Sequence, residues 1–138
     1  MAYMIRKVNY CKMTVRSRAG QGVKILAALK DAGVDLLAFT GFPTGGGKSQ
    51  VDLVATRMNG IQRVAKKNKW QISKTKKGFL VQGTDELGAV HKVLSRLAGE
   101  NINVVAADAV AAGKGRYGML MWVSPKDYNR AARVLNAH

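Results

Sequence analysis

Shifted by 68 residues, the chain aligns with itself without a gap, and this self-similarity constrains its fold more than any other feature. Gly20 falls on Gly88, Lys24 on Lys92, Leu26 on Leu94, Leu29 on Leu97 and Ala38 on Ala106. Gly45 falls on Gly113 and Gly47 on Gly115, while Ile25 pairs with Val93, Val34 with Ile102, Leu36 with Val104 and Lys48 with Arg116. Glycine positions are set by backbone geometry, so glycines that coincide at one offset point to one supersecondary unit used twice.

Each copy reads strand, helix, strand, strand, helix. In the first, Cys11, Met13 and Val15 alternate, and Gly22, Ile25, Leu26 and Leu29 recur at helical spacing until Gly33 stops the helix. VDLLAF, the loop GFPTGGGKS and QVDLVAT follow as a hairpin. Thr56 is the expected N-cap of a second helix carrying Ile61, Val64 and Ala65 inward, and WQIS closes the unit as a strand. The second copy repeats this order through KGFLVQG, INVVAADAV and YGMLMWV, and its last helix starts at Ser124-Pro125. The expected fold class is α+β: two tandem ferredoxin-like βαββαβ units, residues 1–76 and 77–138, the second truncated after its last helix. Truncation would leave a bare strand edge. The alternation also places Leu120 and Trp122 on a helix-free face, an apolar patch that predicts a homo-oligomer.

Composition bounds the function. The single cysteine, Cys11, excludes a disulfide framework, and with only His91 and His138 present no metal cluster is expected. The apolar stretch from Ile102 to Ala112 is too short to span a bilayer, and MAYMIRKVNYCKM lacks the apolar core of a secretory signal. A cytoplasmic protein with no membrane partner is expected. The formal net charge is +15, and residues 1–77 hold 16 basic against 3 acidic residues. No carboxylate lies between Asp52 and Asp85, so a nucleic acid is a rival partner for the basic first half.

Two glycine-rich strings imitate nucleotide sites. Gly41-Phe42-Pro43-Thr44-Gly45-Gly46-Gly47-Lys48-Ser49 misses the phosphate-loop spacing, and Gly113-Lys114-Gly115-Arg116-Tyr117-Gly118 has only its formal letters. Both precede strands rather than helices, so both read as hairpin loops. No catalytic constellation is present; neither an enzyme nor a bound cofactor is expected.

The turns after the first strand of each copy, Arg16–Gly22 and Gly83–Ala89, remain as candidates, because each offers free N–H groups and the positive end of a helix dipole. Around the second of them, TDELGAVHKVLSRLAGENINV resembles the opening of an ACT domain: Asp-x-Pro-Gly, an amphipathic helix, then Asn-Ile-Asn-Val. Asp85, Gly88, Val93, Leu94, Leu97, Asn101, Ile102, Asn103 and Val104 match, with Leu87 in place of the proline. The first copy matches at Gly20, Ile25, Leu26, Leu29, Gly33, Val34 and Asp35, with Ser17 and Ala19 as substitutions. The resemblance implies a small effector, an amino acid above all, held by Ser17, Ala19, Gly20, Gln21, Asp85, Leu87, Gly88 and Ala89 at the turns. It adds Asp35 and Asn103 at the starts of the second strands. The expected function is a stand-alone regulatory or sensory module; a nucleic-acid binder on the same topology and a purely structural oligomerisation domain are the alternatives.

Overall fold

The computed structural model describes residues 3–138. Along the chain lie β1 (Tyr3–Arg16), α1 (Gln21–Asp31), β2 (Ala38–Gly45), β3 (Lys48–Ala55), α2 (Asn59–Asn68) and β4 (Lys76–Thr84). Then come α3 (Ala89–Ala98), β5 (Val104–Gly113), β6 (Arg116–Val123), a short 3-10 turn (Pro125–Asp127) and α4 (Tyr128–Leu135). The two glycine strings are hairpin loops: β2 pairs antiparallel with β3 and β5 with β6. Gly45, Gly46 and Gly47 have φ of 97°, 63° and 73°, and Gly113, Lys114 and Gly115 repeat that left-handed run at 85°, 54° and 73°. The helices start without side-chain caps. Met58, not Thr56, precedes α2, and Gly88 precedes α3.

The chain divides into two compact units, and β1 contributes to both. Unit I is Asn9–Lys76 and unit II is Met1–Val8 with Lys77–His138. In unit I the strand order is β2-β3-β1, with Cys11, Leu53, Leu29, Ile61 and Val64 closing a core beneath α1 and α2. The expected WQIS strand shrinks to a single bridge, Ile72 with Met13, beside a bond from the Ser73 N–H to the Lys12 carbonyl. In unit II the order is β1-β4-β6-β5, and Ile5, Phe79, Val81, Val93, Leu97, Met119, Met121 and Leu135 form the core.

Two expectations need correction here. Residues 3–8 group with 77–138, whereas the sequence division at 76/77 places them in the first unit. The fourth strand of the second unit is also not missing, since the start of β1 occupies the place beside β4. That segment is tied down further: the Lys7 N–H donates to the His138 carbonyl and the His138 N–H to that of Ile5. Arg96 Nη1 donates to the Tyr3 hydroxyl, 2.7 Å away. The apolar patch on the helix-free face disappears as well, because Leu120 is only 4% exposed and Trp122 is half-buried. The arguments that drew an oligomer from that face and from a bare edge of β4 therefore lapse.

Cys11 is buried and free. Burial, with a smaller contribution from the Asp52 charge, pushes its thiol up from 9.0 to about 11. The unfolded chain ionises this thiol first, so stability is whole below pH 9 and is lost as pH rises from 9 to 11. The loss due to this group should approach about 2–3 kcal/mol, and Cys11→Ala should flatten that limb. Urea midpoints of both proteins between pH 8 and 11 test it; equal slopes would refute the assignment.

Candidate functional site

Each unit carries a turn between its leading strand and the helix that follows, β1 to α1 in unit I and β4 to α3 in unit II. Gly20 and Gly88 sit at the helix starts with φ of 91° and 80°, and a Cβ built on either would meet nothing within 4 Å. The turn therefore demands glycine for its left-handed backbone. The Ser17 N–H donates to the Gly47 carbonyl at 2.9 Å and the Asp85 N–H to that of Gly115 at 2.8 Å. In α3 the amides of Ala89 and Lys92 are satisfied by the Glu86 and Gly88 carbonyls. Those of Val90 and His91 find no acceptor among the described residues, and Gly22 and Val23 of α1 are left in the same state.

Beside each turn lies an open groove. In unit II it encloses ≈ 290 Å³ between Asp85, Glu86, Gly88, Ala89, Val90, His91, Ala109, Val110, Ala111 and Tyr117. In unit I it encloses ≈ 260 Å³, with Arg16, Ser17, Arg18, Gln21, Gly22, Phe39, Gly41, Phe42, Pro43 and Ser49 among its walls. Most wall positions correspond at the 68-residue offset: Ser17 with Asp85, Arg18 with Glu86, Gln21 with Ala89, Gly41 with Ala109, Pro43 with Ala111 and Ser49 with Tyr117.

The place is shared, but the chemistry differs. The groove of unit II has two carboxylates at its mouth and free amides at the helix start. Glu86 is already paired with Lys92 Nζ at 3.4 Å, whereas Asp85 has no ion pair among the described residues. Tyr117 is the buried floor; burial first, then Tyr3 and the Glu86 charge, raise its hydroxyl above the ordinary phenol value. The groove of unit I has Arg16 and Arg18 and no carboxylate in its walls, and Ser17 and Ser49 share a hydroxyl hydrogen bond. Among the described residues no cluster of three metal-ligating side chains occurs, and no helix is long and apolar enough to cross a membrane.

Of the residues expected at the site, Asp85, Gly88 and Ala89 meet in one groove, and Ser17 and Gln21 in the other. Gly20 shapes its turn without lining the groove, and Ala19 is exposed on the same turn. Leu87 points entirely into solvent. Asp35 and Asn103 lie elsewhere. β1 and β2 both run antiparallel to β3, so they are parallel to each other, and the end of β1 lies level with the end of β2 rather than its start. Val15 and Pro43 are both opposite Ser49, whereas Leu37 is held at the far end by the Val54 carbonyl. Asp35 instead lines a separate groove of ≈ 240 Å³ with Lys30. The strand residues Gly41–Pro43 and Ala109–Ala111 were the missed partners, and the hairpin register contained the signal for them.

No family model and no curated protein matches the chain. Solved structures do. Protein BT0572 from Bacteroides thetaiotaomicron superposes with a TM-score of 0.78 at 16% identity, over 97% of this chain and 88% of that one. The ligand-free regulatory subunit of aspartate kinase from Thermus thermophilus gives 0.63 at 12% identity, over 98% and 93%. A structure of aspartokinase alpha and beta subunits gives 0.64 at 16% identity, over 99% and 95%. At such identities the likeness is one of fold, the ferredoxin-like α+β arrangement.

Proposed function

We propose that the chain is a regulatory module that takes up a small zwitterionic metabolite, an amino acid, at the β4–α3 turn of unit II. The observation that carries this reading is the pairing of opposite polarities across one groove. The Val90 and His91 amides suit a carboxylate, and the unpaired Asp85 carboxylate suits an ammonium group. A groove of ≈ 290 Å³ fits a small metabolite better than a dinucleotide. The fold shared with regulatory subunits of aspartate kinase supports regulation rather than catalysis. Unit I, whose groove has no carboxylate wall, lacks the ammonium partner and is left without an amino acid. β5 is an edge strand whose Val105 and Val110 are exposed, so a second copy laid along it would close the open side of the groove.

Calorimetric titration with the set of common amino acids tests the reading. At least one should bind, and Asp85→Asn should weaken it about tenfold or more, the worth of a charge-assisted hydrogen bond. Ser17→Ala should leave affinity unchanged. Absence of binding by every amino acid, or equal loss in both variants, would overturn it.

A further inference from the structure

Unit I holds thirteen basic residues and three acidic ones, and both ion pairs among the described residues lie in unit II. Its excess is concentrated. Ile61, Val64 and Ala65 face the core from α2, which turns Arg63, Lys66 and Lys67 outward together at i, i+3 and i+4. Lys69 follows at the helix end, and Arg57 stands just before the helix start. The Gln62 side chain reaches Thr75 Oγ1 at 3.5 Å, which holds the exposed Lys74 beside the same face. None of these cations has an anionic partner among the described residues. The helix dipole favours Lys66 and Lys67 in the last turn, but it opposes Arg57 at the start and is indifferent to Arg63. Local stability therefore does not account for the cluster.

We propose that the outer face of α2, flanked by Arg57 and Lys74, binds the phosphate backbone of duplex nucleic acid without reading its sequence. Cations three and four residues apart on a helix are about 5–6 Å apart, a spacing suited to successive phosphates of one strand. The favoured occupant follows from what the face lacks. Among the described residues the exposed large hydrophobic side chains are Met4, Val23, Leu26, Phe39, Phe42, Leu87, Val105 and Val110, and none lies between residues 57 and 76. Protein partners draw their affinity from buried aromatic and apolar anchors, and a membrane surface takes in an apolar helix face. Phosphate-backbone binding needs neither, because release of condensed counterions drives it. This surface belongs to unit I and does not depend on the amino-acid site of unit II.

Fluorescence anisotropy of a labelled 20-base-pair duplex of arbitrary sequence, titrated with the full chain at 50, 100 and 200 mM KCl, tests the proposal. With about four phosphates engaged, the slope of log affinity against log salt should be about −3.6, a loss of ~100-fold over that range. Arg63→Gln/Lys66→Gln/Lys67→Gln should flatten the slope by about 2.7, and an unrelated duplex should bind equally well. Lys114→Gln/Lys126→Gln/Arg133→Gln removes the same charge from exposed sites of unit II and should change the slope little. No binding at 50 mM salt, equal loss in the two triple variants, or tighter binding to anionic vesicles or polyglutamate than to the duplex would overturn it. Thermal melts of both variants, expected to match the parent, separate loss of the surface from loss of the fold.

Discussion

Deleting residues 1–8 is expected to unfold unit II. The deletion strips Ile5 and Val8, both buried, from beside β4, and each is worth about 1.5–3 kcal/mol. It also removes the Arg96–Tyr3 hydrogen bond and both backbone bonds to His138. The sum, about 4–8 kcal/mol, rivals the whole stability of a typical domain. Amide exchange is the measurement that separates the units: protection should vanish across β4 and β6 and persist in β3. Ile5→Ala, at about 2–4 kcal/mol, should produce the same pattern in weaker form. Full protection of Phe79, Val81 and Met121 amides in the truncated protein would show that β1 is dispensable to unit II.

Asp52→Ala should cost about 2–4 kcal/mol. The Asp52 carboxylate is 0% exposed, accepting hydrogen bonds from Thr40 Oγ1 at 2.8 Å and Gln50 Nε2 at 3.0 Å. Truncation leaves both donors without an acceptor in a low-dielectric setting, at about 1–3 kcal/mol each when fully buried and less for these half-buried groups. Asp52→Asn keeps an oxygen for Gln50 and offers an amide to Thr40, so its cost should be under about 1.5 kcal/mol. The Asn variant also reports the charge. Tyr10 is pushed up to about 12, by burial first and by Asp52 second, and the substitution should lower its ultraviolet titration midpoint. An unchanged midpoint, or an Asn variant as unstable as the Ala one, would contradict this account.

The sequence revealed those parts of the fold that glycine dictates. Gly45–Gly47 and Gly113–Gly115 mark hairpins because their left-handed run tolerates few other residues, and Gly20 and Gly88 mark the helix starts for the same reason. β1 was harder to read. Its buried residues fall at positions 5, 8, 10, 11 and 13, and no single period of two runs through them. Ile5, Cys11 and Met13 keep one phase and enter the cores, but Val8 and Tyr10 are buried on the opposite face, so two-sided burial in the middle of the strand masks the alternation. Leu120 and Trp122 were placed on a helix-free face, which alternation can do, but burial of that face depends on tertiary packing that strand periodicity does not carry. At the candidate site, the turns emerged from the repeat, whereas the opposing strand residues depended on the register between β1, β3 and β2.

The sharing of β1 also orders events in time. Unit I is one uninterrupted segment, so its contacts can close before synthesis of unit II is finished. Residues 3–8 wait for partners that begin at Lys77, and the bonds from Ile5 and Lys7 to His138 can form only when His138 is in place. At about 5–20 residues per second, synthesis of the intervening stretch takes seconds, far longer than strand pairing requires. For that interval a short segment with Ile5 and Val8 uncovered is carried by the nascent chain without its partner strand, and an aggregation hazard arises there.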